Sequence, residues 1–351
     1  MAHVTPAPAD RSGRVCATDG RTWHNHPVTT APLAFSGSRL HWSDLPRHVR
    51  SRIAELAGAD VVSETSATSG FSPGYAALLG LSNGTEVFVK AVSPEQNPDS
   101  PDLARREIAV APVLPAEVCA PHLWWHHDDG DWVLLGFQPV DGRAPELPWR
   151  PDDLARALGA LRDLAEYGTP SPRDLPALAD EVSRLARGWE LLAADDAALD
   201  RAVRAVGPHG DWLRESLPGL ADLAAGAGAA SAGETLVHGD LRADNVMLAP
   251  SPDDRVWLID WPHTCRDGAS WFDLLGMLPS VAMQDGGDPD TLFWAHPNTR
   301  DADRDAVRSV LAGVTGYFVH AAVQPAPTNL PNLREFQLAQ GVAAIDWLRR
   351  L

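Results

Sequence analysis

The chain has 351 residues, enough to bury roughly three quarters of the surface that its unfolded form exposes. Its apolar fraction of 44% and charged fraction of 22% are ordinary for a globular protein built as one large domain or two lobes. The net charge of -18 argues against a nucleic-acid partner, because nucleic-acid binders carry basic patches.

The cysteines and the hydrophobic runs bear on the cellular compartment. Cys16, Cys119 and Cys265 are odd in number and widely spaced, so they predict neither a disulfide framework nor a zinc site and favour a reducing compartment. No apolar run approaches the roughly 20 residues that span a bilayer, and the N-terminus lacks the apolar region of a secretory signal. We therefore expect a cytoplasmic protein without a membrane partner.

The N-terminal part of the chain predicts an arm, a helix and a strand. Residues 1–40 lack periodicity and predict a flexible arm. Ser43 is a candidate N-cap for a helix that Gly58 would end. A strand begins at Val61, and the turn SGFSPG follows it. Such a turn reverses the chain or, alternatively, presents backbone N–H groups to phosphate oxygens. The turn residues with this potential are Ser69, Gly70, Phe71, Ser72 and Gly74.

Asn83-Gly84 predicts a hairpin that leads into a half-buried strand carrying Lys90. A lysine on a strand is commonly a solvated edge residue. Lys90, however, is the only lysine in the chain, which favours a specific need for a compact ammonium group at this position.

A helix opening at Pro101 and Asp102 carries Glu107. No arginine stands three or four residues from Glu107, so it has no ion-pair partner on its own helix. Glu107 is either a solvated helix residue or the partner that holds Lys90 toward the phosphates of a nucleotide.

Two further strands, near 122–127 and 131–137, close the β-rich part of the chain. The tetrad from His126 to Asp129 lies on the turn between them, where a metal site is a weak alternative. From Pro151 onward the periodicity is helical, and the small residues 224–233 predict a flexible lead-in to the next motif.

The stretch Thr235–Asp260 contains the most chemically suggestive residues. A β-prone run delivers His238 and Asp240 into a polar loop, and Asn245 follows five residues after Asp240. Two short apolar runs then flank a turn, and the second run ends at Asp260. Oxygen ligands from Asn and Asp suit Mg²⁺, and a separate carboxylate suits the deprotonation of a hydroxyl. A metal-dependent hydrolase using His238, Asp240 and Asp260 is an alternative at this stage.

From about Val61 to Leu278 the chain resembles the aminoglycoside phosphotransferase family, relatives of the protein kinases. HGDLRADN is similar to the family's catalytic loop, LIDW is similar to its strand-end metal motif, and an upstream Lys and Glu occur in the expected order. The resemblance implies an α+β, bilobal, protein-kinase-like fold. It implies a β-rich nucleotide-binding lobe over 41–138 and a helical lobe over 139–351 that holds the catalytic loop and the acceptor pocket.

The resemblance also implies roles for individual residues. Asp240 would be the catalytic base, and Asn245 and Asp260 would bind Mg²⁺. Lys90 would contact the phosphates with Glu107 as its partner. The turn Ser69, Gly70, Phe71, Ser72 and Gly74 would cover the nucleotide, the hinge Gly136, Phe137 and Gln138 would bond the purine through backbone groups, and His238 and Asp273 would brace the catalytic loop.

These roles amount to a Mg²⁺-dependent kinase that moves the γ-phosphate of ATP or GTP to a hydroxyl of a small molecule, such as an aminoglycoside antibiotic. The alternatives are a kinase of another metabolite, a nucleoside or a macrolide-type natural product, and a nucleotide-binding protein without transfer activity. Candidates in the helical part for pairing with an ammonium-bearing acceptor are Glu181, Glu190, Asp195, Asp196, Asp267 and Asp285. Most of these carboxylates are expected to be ordinary solvated residues of helix faces.

Overall fold

The computed structural model describes residues 31–32, 34–35 and 39–351. Within these ranges the strands are β1 (Val61–Ser66), β2 (Tyr75–Leu81), β3 (Glu86–Val92), β4 (Leu123–Asp128), β5 (Val133–Phe137), β6 (Ala232–Val237), β7 (Val246–Leu248), β8 (Val256–Leu258) and β9 (Cys265–Gly268). The helices are α1 (Arg47–Ala57), α2 (Ser100–Val110), α3 (Pro151–Tyr167), α4 (Leu178–Leu185), α5 (Gly188–Ala193), α6 (Asp196–Ala205), α7 (Gly210–Ala225), α8 (Ala227–Ala230), α9 (Phe272–Met283), α10 (Pro289–Ala295), α11 (Arg304–Ala322) and α12 (Leu333–Leu348).

The N-terminal lobe is an antiparallel sheet with strand order β1-β2-β3-β5-β4. Helix α1 covers one face, where Val49 and Ile53 join the buried side chains of the central strands. Helix α2 covers the other face, where Ala104 packs with Leu135 and Phe137. Because alternate residues of a strand face opposite sides, every residue of β5 is buried between these two layers.

The C-terminal lobe is helical and is centred on α11, which packs against α12, α5, α7 and α8. Its core contains the fully buried side chains of Trp189, Phe293 and Trp347. Two small antiparallel sheets, β6 with β9 and β7 with β8, are set against these helices. The predicted α+β bilobal fold is confirmed. None of the described helices combines the length and hydrophobicity needed to cross a bilayer.

Helix α1 begins later than the sequence predicts. Ser43 lies in a short 3₁₀ turn, and the helix starts at Arg47, after Pro46. The residue before a proline is biased away from helical angles, and Leu45 is accordingly extended. The predicted end is confirmed, since Gly58 has a φ of 73° and caps the helix with its N–H.

The prediction of a flexible lead-in over 224–233 is wrong. This segment contains α8 and the first residues of β6, and Ala224, Ala227 and Ser231 are buried. The small residues serve close packing: a Cβ added to Gly228 would lie 2.6 Å from the carbonyl oxygen of Ala179. Composition alone does not separate this use of small residues from chain flexibility.

The end of the N-terminal segment, assigned by sequence to a flexible arm, is docked on the first lobe. Phe35 forms a parallel bridge with Gly70, whose N–H donates to the Ala34 carbonyl at 2.8 Å. The N–H of Leu40 donates to the carbonyl of Gly74 at 3.3 Å. Most of the segment, with Cys16, lies outside the described residues. Its described end runs beside the turn that precedes β2.

Candidate active site

The motif that resembles a catalytic loop follows β6. Its backbone is hydrogen-bonded to Asp273, at the start of α9. The carboxylate of Asp273 accepts the backbone N–H of His238 at 2.7 Å and that of Gly239 at 2.8 Å. Burial raises the pKa of Asp273 to about 6. Gly239 has a φ of 83° and packs against the carbonyl of His263, so a side chain has neither the angle nor the space here.

His238 is a fully buried brace of the same loop. Its Nε2 lies 3.0 Å from the carbonyl oxygen of Ile259, and its Nδ1 accepts the N–H of Asp240 at 3.3 Å. These partners place the single ring proton on Nε2. Burial lowers the pKa of His238 to about 4, so the ring is neutral at neutral pH. Because both nitrogens are occupied, His238 is not available as the metal ligand that a hydrolase would need.

Asp240 lies at the floor of the cleft and forms an ion pair with Arg242. Arg242 also donates two hydrogen bonds of 3.0 Å to the carboxylate of Asp244. Its guanidinium lies 5.7 Å from the ring centre of Phe71. Burial raises the pKa of Asp240, and the charge of Arg242 opposes that rise. Arg242 is not among the site residues predicted from the sequence. Its position midway between Asp240 and Asp244 is the pattern that indicates an ion pair at this place.

Lys90 lies at the junction of the lobes and binds two carboxylates. Its Nζ is 2.9 Å from both oxygens of Glu107 and 2.7 Å from Oδ1 of Asp260. Burial disfavours the ammonium, but the two carboxylates outweigh it and raise the pKa of Lys90. Glu107 is 5% exposed, and burial raises its pKa against the pull of Lys90. The alternative that these two residues are solvated is therefore wrong.

Asn245 and Asp260 present oxygens that fit a hard cation. The amide of Asn245 donates to the backbone carbonyl of Asp240 at 2.7 Å, which leaves its Oδ1 without a partner among the described residues. Burial opposes ionisation of Asp260, but the charge and hydrogen bond of Lys90 prevail and lower its pKa to about 2. Asp260 has a φ of 70°, an uncommon angle for a non-glycine residue and a frequent one at functional sites. An amide oxygen and an ionised carboxylate suit Mg²⁺.

Two cavities meet at Lys90. The first, of about 440 Å³, lies between the sheet and the C-terminal lobe, and we call it the donor cavity. The second, of about 460 Å³, lies between α2 and helices α11 and α12, and we call it the acceptor cavity. Asp240 lines the acceptor cavity and Asn245 lines the donor cavity. Residues that line both are Phe71, Ser72, Lys90, Glu107 and Asp260.

The turn before β2 contributes four of its five candidate residues to the donor cavity: Ser69, Gly70, Phe71 and Ser72. Gly74 does not line it. A Cβ on Gly74 would lie 2.7 Å from the carbonyl oxygen of Ala91, so this glycine permits close packing of the strands. Its carbonyl accepts the N–H of Leu40, so the structure gives Gly74 a packing role beside the docked N-terminal residues.

The hinge begins later than the sequence indicates. Gly136 lies inside the sheet, between β3 and β4, and the ring of Trp125 fills the space beside it. Its assignment to purine contact is wrong, because its backbone groups serve the sheet. Phe137 and Gln138 do line the donor cavity, as does Val140. The N–H of Gln138 donates to the carbonyl of His122 at 2.8 Å, so its backbone N–H is not free to bond a ligand.

Comparison with known proteins identifies the family of this chain. A sequence model of the phosphotransferase enzyme family (APH) matches residues 68–309, more than half of the chain. The chain belongs to this family. A comparison with curated proteins finds no significant match.

Solved structures of aminoglycoside phosphotransferases share the fold of this phosphotransferase. A thermostable mutant of APH(4)-Ia is 13% identical, with a TM-score of 0.53, and the match covers 86% of this chain and 98% of that one. A ternary complex of the same enzyme with ADP and hygromycin B is 14% identical, with a TM-score of 0.51 and coverage of 86% and 98%. An aminoglycoside-3'-phosphotransferase of type VIII is 21% identical, with a TM-score of 0.50 and coverage of 78% and 100%.

The acidic residues proposed to bind a cationic acceptor do not line the acceptor cavity of this phosphotransferase. Glu190 pairs with Arg187, Asp195 caps α6, and Asp267 pairs with Arg266. Glu181 lines a neighbouring cavity of about 360 Å³, where it pairs with Arg184. Glu181 lies nearest to the acceptor, because its cavity shares Gly239, His263 and Tyr317 with the acceptor cavity.

Proposed function

We propose that this phosphotransferase moves the γ-phosphate of a nucleoside triphosphate, ATP or GTP, to a hydroxyl group of a small molecule, with Asp240 as the catalytic base. The observation that carries the proposal is the meeting of two cavities at Lys90, with Asp240 on the acceptor side and Asn245 on the donor side. Phosphoryl transfer depends on positioning and charge neutralisation, and these residues supply both.

On the donor side, Lys90 would neutralise phosphate charge while Glu107 holds its ammonium in place. Phe137 and Gln138 would border the base. Pro139 has no N–H, so the carbonyl of Gln138 and the N–H of Val140 are the hinge groups that would bond the purine. The bound ADP of a structural relative supports testing an adenine nucleotide first.

Asn245 and Asp260 would hold a Mg²⁺ ion through Oδ1 of the amide and the carboxylate. The ion would supply charge neutralisation at the phosphates. The residues of this chain do the rest. Lys90 orients Asp260, and the backbone carbonyl of Asp240 orients the amide of Asn245.

On the acceptor side, Asp240 would accept the proton of the attacking hydroxyl as the oxygen bonds to phosphorus. The ion pair with Arg242 fixes the carboxylate, so an incoming hydroxyl meets a base that is already oriented. The side chain of Asp240 is 30% exposed, so an acceptor in the cavity can reach this carboxylate. The free thiols of Cys119 and Cys265 support the proposed cytoplasmic compartment.

The test is a panel of hydroxyl compounds, antibiotics included, incubated with the full chain, Mg²⁺ and either ATP or GTP. Mass spectrometry should detect a phosphate-sized increase on at least one compound, and removal of Mg²⁺ with EDTA should abolish it. The variant Asp260→Asn should lose Mg²⁺-dependent nucleotide binding, while Asp163→Asn, an exposed carboxylate on α3, should behave as wild type. Nucleotide binding without transfer to any compound would favour the nucleotide-binding alternative.

A further inference from the structure

One wall of the acceptor cavity, away from its catalytic floor, is formed by apolar side chains. Helix α2 contributes Leu103, α11 contributes Val314 and Phe318, and the start of α12 contributes Leu333. Leu330, from the segment before α12, continues the same surface. Aliphatic and aromatic walls of this kind bind ligands whose own surface is largely apolar, because both surfaces leave water on binding.

The carboxylates around the cavity are already engaged. Glu107 and Asp260 bind Lys90, Asp240 binds Arg242, and Asp273 accepts two backbone N–H groups. Among the described lining residues this leaves one further carboxylate, the exposed Asp99. An acceptor with several ammonium groups needs several free carboxylates, since a buried unpaired charge is strongly unfavourable.

Polar side chains also line this cavity, and Ser100 and Gln340 are two of them that bond to no other side chain among the described residues. Gln340, on α12, is 4% exposed and lines the cavity, yet its amide forms no side-chain hydrogen bond with any described residue. Its neighbour one turn earlier, Gln337, is already bonded to Arg334 and Tyr317. An amide that borders a cavity and is not bonded to the protein is free to bond a ligand there.

We propose that the acceptor is a hydroxyl compound with a mainly apolar or aromatic body and at most one positive charge, oriented by a hydrogen bond to Gln340. This inference rests on the proposed function, of which it names the substrate class. It separates this chain from an enzyme for polycationic sugars, because the wall provides apolar contact and one polar anchor where a polycation needs carboxylates.

The test compares two classes of probe on the full chain with Mg²⁺ and ADP. Calorimetry should detect binding of a largely apolar polyol, either the macrolactone erythromycin or the steroid hydrocortisone, and no binding of the polycations streptomycin and hygromycin B. Mass spectrometry with ATP then detects transfer. Binding of the polycations only, or of neither apolar probe, would overturn the inference. An apolar probe that binds without being phosphorylated would leave the inference standing and contradict the proposed function.

Two variants make the test specific to the wall. Gln340→Leu keeps the shape and removes the amide, so acceptor affinity should fall about fivefold, whereas Gln324→Leu, whose side chain contacts His320 outside the cavity, should have no effect. Leu333→Glu should weaken apolar probes about tenfold or more and leave nucleotide affinity unchanged. An unchanged acceptor affinity in both Gln340→Leu and Leu333→Glu would refute the assignment of this wall.

A different observation, on the donor side, carries a second inference. Arg39 precedes the residues matched by the family model, yet it lines the donor cavity together with Lys90 and Asp260. Its Nη2 donates to the backbone carbonyl of Ser69 at 2.5 Å and to that of Gly70 at 3.4 Å. The N-terminal segment thus delivers a guanidinium to the turn that borders the nucleotide.

The charge of Asp260 acts on the guanidinium of Arg39 only from a distance. The guanidinium forms no ion pair with a carboxylate of the described residues, and its Nε is buried without a hydrogen-bond partner. Buried arginines are normally paired, because a guanidinium that loses water needs an anion in return. The donor cavity is where a nucleotide brings such an anion.

We infer that Arg39 binds a phosphate group of the nucleotide, as a second cation beside Lys90 that is contributed by the N-terminal segment. This makes Arg39 a binding residue for the donor rather than a clamp on the turn alone. A phosphate-binding residue would affect only ligands that carry phosphate, whereas a residue that holds the turn would also affect ligands without it.

The test measures ATP and adenosine binding to Arg39→Gln. We expect ATP affinity to fall at least about tenfold, as for the loss of a charge-assisted hydrogen bond, while adenosine affinity stays unchanged. Arg39→Lys should recover part of the loss, and Arg47→Gln, exposed on α1, is the matched control. Equal loss for ATP and adenosine, or unchanged ATP affinity, would overturn the inference.

Discussion

The two sides of the cleft use opposite physical means of recognition. The donor side concentrates charge: Lys90 contacts Glu107 and Asp260 within 2.9 Å, and Arg39 lines the same space. The acceptor side beyond Asp240 includes a wall of aliphatic and aromatic side chains with one unpaired amide. In the proposed function a nucleotide would be bound through its phosphates, whereas the acceptor would be bound largely through apolar contact. Substitutions should therefore separate the two sides.

The largest effect is expected at Lys90. Lys90→Met removes the cation that faces the phosphates and leaves Glu107 and Asp260 as unpaired like charges. Turnover should fall by about 10³-fold, as when a preorganised electrostatic group is removed from a transition state. Steady-state kinetics with saturating acceptor measures this. If acceptor affinity fell as much as turnover, Lys90 would serve acceptor binding as well, and the donor and acceptor sides would not be separable.

The brace beneath both sides should make stability depend on pH. Between pH 6.5 and about 4 the unfolded chain binds a proton on His238, while the folded protein keeps the ring neutral. The contribution of His238 to the free energy of unfolding is therefore present above pH 6.5 and is lost as the pH falls toward 4. The loss should amount to about 3 kcal/mol.

The measurement is urea unfolding of the wild type and His238→Gln at several pH values. The wild type should lose more unfolding free energy than the variant between pH 7 and 4.5. If the unfolding free energies of the wild type and the variant fell equally with pH, the pKa of His238 would not be lowered by burial.

A smaller effect, on the pH dependence of turnover, is expected at Arg242. Burial raises the pKa of Asp240 and Arg242 opposes this, so Arg242→Gln should raise that pKa further. The base acts only when deprotonated, so the acid limb of the rate profile should move to higher pH. Turnover at neutral pH should fall about tenfold, as for a lost charge-assisted hydrogen bond. An acid limb that stays in place would exclude Asp240 as the group that it reports.

The smallest effect is expected on the acceptor wall. Phe336 lies on α12, its ring is 5.2 Å from that of Phe71, and it lines only the acceptor cavity. Phe336→Leu should lower acceptor affinity about fivefold through lost apolar contact and leave nucleotide affinity unchanged. Calorimetry with each ligand separately measures both. An equal loss for the nucleotide would show that the two sides are one site.

The same contrast explains how much could be predicted from the sequence. Asp240, Asn245 and Asp260 belong to one continuous motif, and Lys90 with Glu107 form a pair seventeen residues apart, so short patterns reveal them. The change of period near Pro151 predicts a β-rich part followed by a helical part, and the family resemblance implies the α+β bilobal fold. These features depend on local sequence, where periodicity and turn residues carry the information.

The acceptor wall could not be predicted in this way. It joins Leu103 to Phe318 and Leu333, which are separated by more than 200 residues, and helical periodicity does not tell which apolar face borders a cavity. Gly136 and Gly74 were assigned to the nucleotide because composition does not distinguish a ligand-contacting glycine from one that lets strands pack. Arg39 was missed since the segment around it has no periodicity.

The most direct test of the central claim is phosphoryl transfer by Asp240→Asn, with nucleotide affinity measured on the same protein. We expect turnover to fall by about 10²-fold or more, while ATP and Mg²⁺ bind as in the wild type, because Asp240 does not line the donor cavity. Near-wild-type turnover in Asp240→Asn would contradict its role as the base and with it the account of this cleft as a phosphoryl-transfer centre.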